Sequence, residues 1–151
     1  MMKLNPYIFL PGTATEAIEL YKEVFNVEPT GLMHYSDMPG DAAAQDPDMA
    51  PSTETAAARI MHASFEIGAD TLMISDAPEG QDNTVVMGGQ TILSAHPDSR
   101  EEADRIFALL SDGGTVQSPM NDEFWGDYFG QCIDRFGVIW MVNYNADTNQ
   151  Q

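Results

Sequence analysis

The chain has 151 residues, 43% of them apolar, which is one domain's worth with enough apolar surface to bury a core, so disorder throughout is excluded. Twenty-four acidic side chains face six basic ones, of which only Lys3 and Lys22 are lysines. The resulting net charge of −18 repels phosphate backbones and excludes nucleic acid as a partner, and no apolar run approaches the ~20 residues of a membrane span.

The first stretch, MMKLNPYIFLPG, is too short for the apolar core of a signal peptide and reads as a strand over Asn5–Leu10. Thr13-Ala-Thr-Glu16 has the form of a capping box. Ala17, Tyr21 and Val24, flanked by Ile18, Leu20 and Phe25, then mark one face of a helix ending near Asn26, ahead of Pro29. Three strand-like runs follow, at Pro29–Ser36, Ala58–Ile67 and Thr71–Asp76, the last two joined by the turn Gly68-Ala-Asp70. Residues 37–57 are polar, rich in Ala and Pro and without periodicity, so they are expected to be a long loop, either a lid or a mobile segment. Residues 77–87 connect to a second half.

That second half repeats the order. A strand is expected over Gln90–Ala95, followed by a second capping box, Ser99-Arg-Glu-Glu102, and a helix stripe of Ala103, Ile106, Phe107 and Leu110 closed by Gly113-Gly114. Strands are expected at Thr115–Ser118, Tyr128–Asp134 and Val138–Tyr144, with Arg135-Phe-Gly137 as the final turn. Thr13, Glu16, Ala17, Tyr21 and Val24 map onto Ser99, Glu102, Ala103, Phe107 and Leu110 at a constant offset, the mark of an internal duplication. Two β-α-β-β-β units make an α+β protein: mixed, mostly antiparallel curved sheets enclosing a cleft, with the two main helices outside. Module one spans 3–76 and module two 88–145, within one domain over 1–151.

Several pieces together resemble the vicinal-oxygen-chelate (glyoxalase/bleomycin-resistance/dioxygenase) superfamily, and within it the PhnB-like branch. They are Asn5-Pro-Tyr-Ile-Phe, Glu16–Phe25, His62-Ala-Ser-Phe, Leu72-Met-Ile-Ser-Asp76, Phe124–Gly130 and Asp134–Asn143. The resemblance implies paired modules, a cleft at their interface and a homodimer. It also implies metal ligands on the first and last strands of each module, where a polarising cation needs carboxylates or imidazoles. Here those strands offer Pro6, Leu72 or Ile74, Gln90 and Met141, and only Gln90 is a plausible donor. The metal centre is therefore expected to be absent, with no cofactor.

The candidate ligand-binding residues are His62, Asp76, Gln90, Trp125 and Met141. His62 lies among apolar strand neighbours and reads as a packed residue or a general base. Asp76 ends a strand, where it either aims a carboxylate into the cleft or opens a turn. Trp125, Tyr128 and Trp140 are suited to stacking on a flat ligand or to core and dimer contacts. His34 and His96 read as surface residues, and Cys132 as a buried, inert thiol consistent with a reducing, cytoplasmic setting. The chain lacks a P-loop, a nucleotide-binding glycine turn and a Gly-x-Ser-x-Gly elbow. It therefore reads as a protein of unassigned activity that holds a small organic ligand. The alternatives are a metal-dependent lyase, isomerase or dioxygenase-like enzyme using His62, Asp76 and Gln90, and a non-enzymatic interaction module.

Overall fold

The computed structural model describes residues 1–147; the last four positions of the expected domain lie outside the described residues. The chain divides into two units, residues 1–86 and residues from 87 onward, and each builds its own four-stranded mixed sheet. The strands of the first are β1 (Tyr7–Leu10), β2 (Gly31–His34), β3 (Ile60–Ile67) and β4 (Asp70–Asp76). Those of the second are β5 (Leu93–Ala95), β6 (Thr115–Asp122), β7 (Tyr128–Ile133) and β8 (Ile139–Tyr144). Their orders, β1-β4-β3-β2 and β5-β8-β7-β6, are the same topology. In both, the first strand runs parallel to the last and the other pairs are antiparallel. The α+β class and the tandem modules are thus present, and neither sheet closes into a barrel.

Helix α1 (Ala14–Phe25) buries Ala17, Ile18, Leu20, Tyr21 and Val24 on one face of the first sheet. Opposite it the sheet presents Ile8, Leu10, Ala63, Phe65, Leu72 and Ile74, all at most 8% exposed. At about 1.5–3 kcal/mol per fully buried large apolar side chain, this layer is the main stabilising contact of the unit. In the second unit, helix α4 (Arg100–Ser111) does the same with Ala103, Ile106, Phe107 and Leu110 over Cys132, Trp140 and Val142. Both helices are 12 residues long, and among the described residues no helix is long and apolar enough to cross a membrane.

The two helix starts differ from the capping-box expectation. Ser99 does cap α4, its hydroxyl accepting from the Glu102 amide at 3.1 Å, but the Glu102 carboxylate turns to Arg105. Thr13 makes no side-chain cap at all. Its place is taken from the sheet: Asp76 Oδ1 accepts the Ala14 amide at 2.9 Å. The approach of the chain to that carboxylate needs Gly12 at φ +90, where a Cβ would also meet the Arg59 guanidinium at 2.8 Å.

Residues 37–57 also depart from a plain loop. They contain α2 (Gly40–Gln45), and α3 (Glu54–Ala58) begins at their end, capped by Thr53, whose hydroxyl accepts the Ala56 amide at 3.0 Å. Neither short helix has an apolar stripe, since α2 buries no residue and α3 only Ala56, so the periodicity signal was missing. Strand boundaries shift as well, two of them by three residues or more. β5 starts at Leu93 rather than Gln90, because its ladder with β8 pairs only Leu93 to Ala95. β6 continues to Asp122, four residues beyond Ser118, carrying Pro119 through a twice-shifted register on an edge strand, the place where a missing N–H is tolerated.

Candidate functional site

With α1 over one face of the first sheet, the other face is formed by the alternate residues. Register puts Tyr7, Met73, Ser64 and Gly31 in one row across β1, β4, β3 and β2. A second row carries Phe9 beside Ser75, and His62 beside Met33. Tyr7, Phe9 and Met33 are 50%, 40% and 41% exposed, while His62 and Met73 are half-buried. The Tyr7 and His62 rings stack at 6.0 Å between centroids, 29° from parallel. The strand is irregular next to His62: Met33 pairs with His62 but His34 with Ile60, so Met61 is an extra residue in β3. The Ser75 hydroxyl donates to the Met61 carbonyl at 2.8 Å, pinning that irregularity from the neighbouring strand.

Asp76 is on the opposite side. It is 1% exposed, and its second oxygen accepts the Ile60 amide at 2.9 Å. Tyr35, also buried, donates its hydroxyl to the Asp76 carbonyl at 2.8 Å. Burial pushes the Asp76 carboxyl above the usual carboxylate range; the amides of Ile60, Ala14 and Gly12 and the charge of Arg59 pull it back only in part. Asp76 therefore joins helix α1, β3 and the end of β4. It neither enters the open face nor opens a turn, and it leaves the candidate ligand set. His62 and Asp76 lie on opposite faces of one sheet, so the ligand trio His62, Asp76 and Gln90 has no basis in the strands.

In the second unit the row on the face away from α4 is Ser94, Met141, Gln131 and Ser118. Met141 is half-buried there, as its place on a central strand suggested. Gln131 Nε2 donates to Gln117 Oε1 at 2.7 Å, and Ser94 shares a 2.9 Å hydrogen bond with His96 Nε2. Gln90 precedes β5 in an exposed bend, and Ser94 occupies the strand position assigned to it. Trp125 lies in the β6–β7 hairpin, 53% exposed, edge-on to Phe124 and Phe129 and donating to Asp127 Oδ2 at 3.2 Å. Tyr128 and Trp140 are committed to the helix side. The Tyr128 hydroxyl donates to Asp104 at 2.5 Å with Arg100 over its ring, and Trp140 Nε1 donates to buried Asp134 at 2.9 Å. Burial and the Asp134 charge push the Cys132 thiol up to about 11, which makes it a poor nucleophile.

The residues that the sequence reading missed are Tyr7, Phe9, Met33 and Met73. The signal was present in β4: Leu72 and Ile74 are the branched aliphatics and so belong under the helix, which leaves Thr71, Met73 and Ser75 for the open side. On the first and last strands of the two units, the open-face positions with a donor atom are thus Tyr7, Thr71, Met73, Ser75, Ser94, Met141 and Asn143, with Phe9 beside them. Their donors are phenol, hydroxyl, thioether and amide, none of them a carboxylate or an imidazole. Within either unit, among the described residues, no three His, Cys, Asp or Glu side chains are grouped to hold a metal ion.

Residues 3–142 match the Glyoxalase/Bleomycin resistance protein/Dioxygenase superfamily. The chain is 31% identical over 150 residues to protein YjdN of Escherichia coli strain K12, covering 94% of this chain and 95% of that protein. The crystal structure of protein PA1353 from Pseudomonas aeruginosa superposes with a TM-score of 0.76 at 30% identity, over 96% of this chain and 98% of that one. A PhnB protein from Bacillus cereus, carrying a 3-demethylubiquinone-9 3-methyltransferase label, shares the fold with a TM-score of 0.73 at 20% identity, over 95% of this chain and 99% of that one.

Proposed function

The chain belongs to the Glyoxalase/Bleomycin resistance protein/Dioxygenase superfamily, and from that premise we propose that it binds a small organic molecule on an open sheet face, without the superfamily's catalytic cation. The observation that carries this reading is the donor set. Metal affinity follows ligand identity and count, and the first and last strands of both modules supply only weak neutral donors on their open faces. The residues present do not fit a divalent cation. They do fit an organic ligand: Tyr7, Phe9, Met33 and Met73 offer aromatic and polarizable surface around one imidazole, His62, and the hydroxyls of Ser64 and Thr71. The methyltransferase label of the Bacillus relative finds no support here, because Gly88-Gly89 leads into β5, whereas a cofactor-binding glycine turn follows a strand and opens a helix.

The reading includes a homodimer. The edge strands β2 and β6 leave Leu32 and Val116 at 47% and 49% exposure, apolar surface that a second copy would cover. A monomer mass by light scattering at micromolar concentration removes that part alone.

The central test is metal analysis of protein purified without chelators, followed by a thermal-shift screen. Substoichiometric metal, no stabilisation by Mn²⁺, Ni²⁺ or Zn²⁺, and melting temperatures raised by small organic compounds are the expected results. Stoichiometric metal that is lost in His62→Ala would overturn the proposal.

A further inference from the structure

We propose that the open face of the first sheet takes an organic cation with a flat or methylated apolar body, bound against Tyr7, Phe9, Met33, His62 and Met73. This inference deepens the small-ligand reading above and rests on it. Three observations carry it.

The face contains no Lys or Arg at any register position, and its one charged side chain is a carboxylate, Glu66, held by the Thr71 hydroxyl at 3.3 Å. A ligand carboxylate or phosphate placed there would have no counter-charge and would meet Glu66.

Four of the six basic residues are paired with acids, and the other two, Lys3 ahead of β1 and Arg135 in the β7–β8 turn, lie outside the strands of this face. Of the six in the chain, Lys22 pairs with Glu19 and Glu28, Arg59 with Asp82, Arg100 with Asp122 and Arg105 with Glu102. A net charge of −18 surrounds the face, so the field concentrates cations and disperses anions before contact.

Tyr7 and Phe9 stand two residues apart on an edge strand, and both are at least 40% exposed. Exposed rings are the negative faces on which a desolvated ammonium or quaternised heterocycle binds best. Methionine thioethers fit the apolar remainder of such a ligand at little conformational expense. The same rings attract a neutral aromatic less, and an aromatic carboxylate least of all.

The experiment uses the full-length protein with selectively labelled methionine methyl groups and three probes of similar size: N-methylquinolinium, naphthalene-2-methanol and 2-naphthoate. Titrations at low ionic strength are followed through the Met33 and Met73 methyl resonances, each assigned by a Met→Leu variant. N-methylquinolinium is expected to move both resonances and to bind about tenfold tighter than the neutral probe, with 2-naphthoate weaker still. Tyr7→Leu and Phe9→Leu should each reduce the cation's affinity about three- to fivefold and leave the neutral probe nearly unchanged. Added salt should narrow the gap between cation and anion. Equal or tighter binding of the neutral or anionic probe at Met33 and Met73 would overturn the charge assignment while leaving the small-ligand reading intact. Cation binding that moves neither methionine is adsorption to the acidic surface and overturns the site. Failure of all three probes to move either resonance overturns both.

Discussion

Replacing Asp76 by Asn tests whether one buried carboxylate joins three elements of the first unit. The two oxygens accept the Ala14 and Ile60 amides, both at 2.9 Å, in a position 1% exposed. Asn keeps one acceptor, and its NH₂ is placed against the other backbone N–H. One buried amide is then unsatisfied, at about 1–3 kcal/mol, and the surviving bond loses its charge assistance. Removing a buried charge returns part of that, so a net loss of about 2–4 kcal/mol is expected, or roughly 5–15 °C in melting temperature. The pH dependence gives an independent check. Burial raises the carboxyl above its ordinary 3.8, so the folded chain holds this proton more tightly than the unfolded chain. By linkage the stability Asp76 contributes is fully present below the unfolded value and is lost as pH rises through the folded one. The deficit of the Asn variant should therefore be largest in acidic buffer and smallest at neutrality. Urea unfolding at both pH values measures it, and amide hydrogen exchange at Ala14 and Ile60 localises it. A variant as stable as wild type would refute the capping argument, whereas a deficit that grows toward neutral pH would refute the raised carboxyl and leave the capping in place.

Gly12→Ala should cost about 1–3 kcal/mol, because φ +90 strains any L side chain and the new Cβ meets the Arg59 guanidinium at 2.8 Å; thermal melts measure it. With its thiol pushed up to about 11 and buried, Cys132 should resist thiol reagents in the folded protein at mildly alkaline pH and react fully in denaturant; rapid stoichiometric labelling of native protein would contradict this. The two tryptophans should separate cleanly in chemical denaturation. Trp125→Ala, at a position 53% exposed, should change stability by under about 0.5 kcal/mol. Trp140→Phe, which strips a donor from buried Asp134, should cost about 1–3 kcal/mol.

The order of elements was legible because each rests on a local, periodic signal. The stripes Ala17–Tyr21–Val24 and Ala103–Phe107–Leu110 each need only one face, and the repeat between them made the duplication visible before any coordinate. What the sequence did not disclose is which side of a strand a residue takes once a bulge intervenes. His62 and Asp76 both looked like polar residues of a cleft. Yet Met61 is an extra residue in β3, and Asp76 has the parity of Leu72 and Ile74, which the helix covers. A carboxylate with that parity must be satisfied internally. The orphan amides at the start of α1 are the nearest donors, since Thr13 does not cap them.

Strand parity also sets the character of the proposed site. Moving the candidate face from Leu72, Ile74 and Asp76 to Met73, Ser75 and Tyr7 removes the first unit's buried carboxylate from the reach of a ligand. What remains is aromatic and thioether surface with a single imidazole, His62, and one exposed carboxylate, Glu66. A cation held by protein needs several hard or borderline donors converging on one point, whereas an organic molecule needs broad contact and a few orienting groups. On the proposed reading, an open face whose largest exposed side chains are Tyr7, Phe9 and Met33 answers to the second requirement. On that reading, any chemistry on this face of the chain would come from the ligand's own reactivity or from His62.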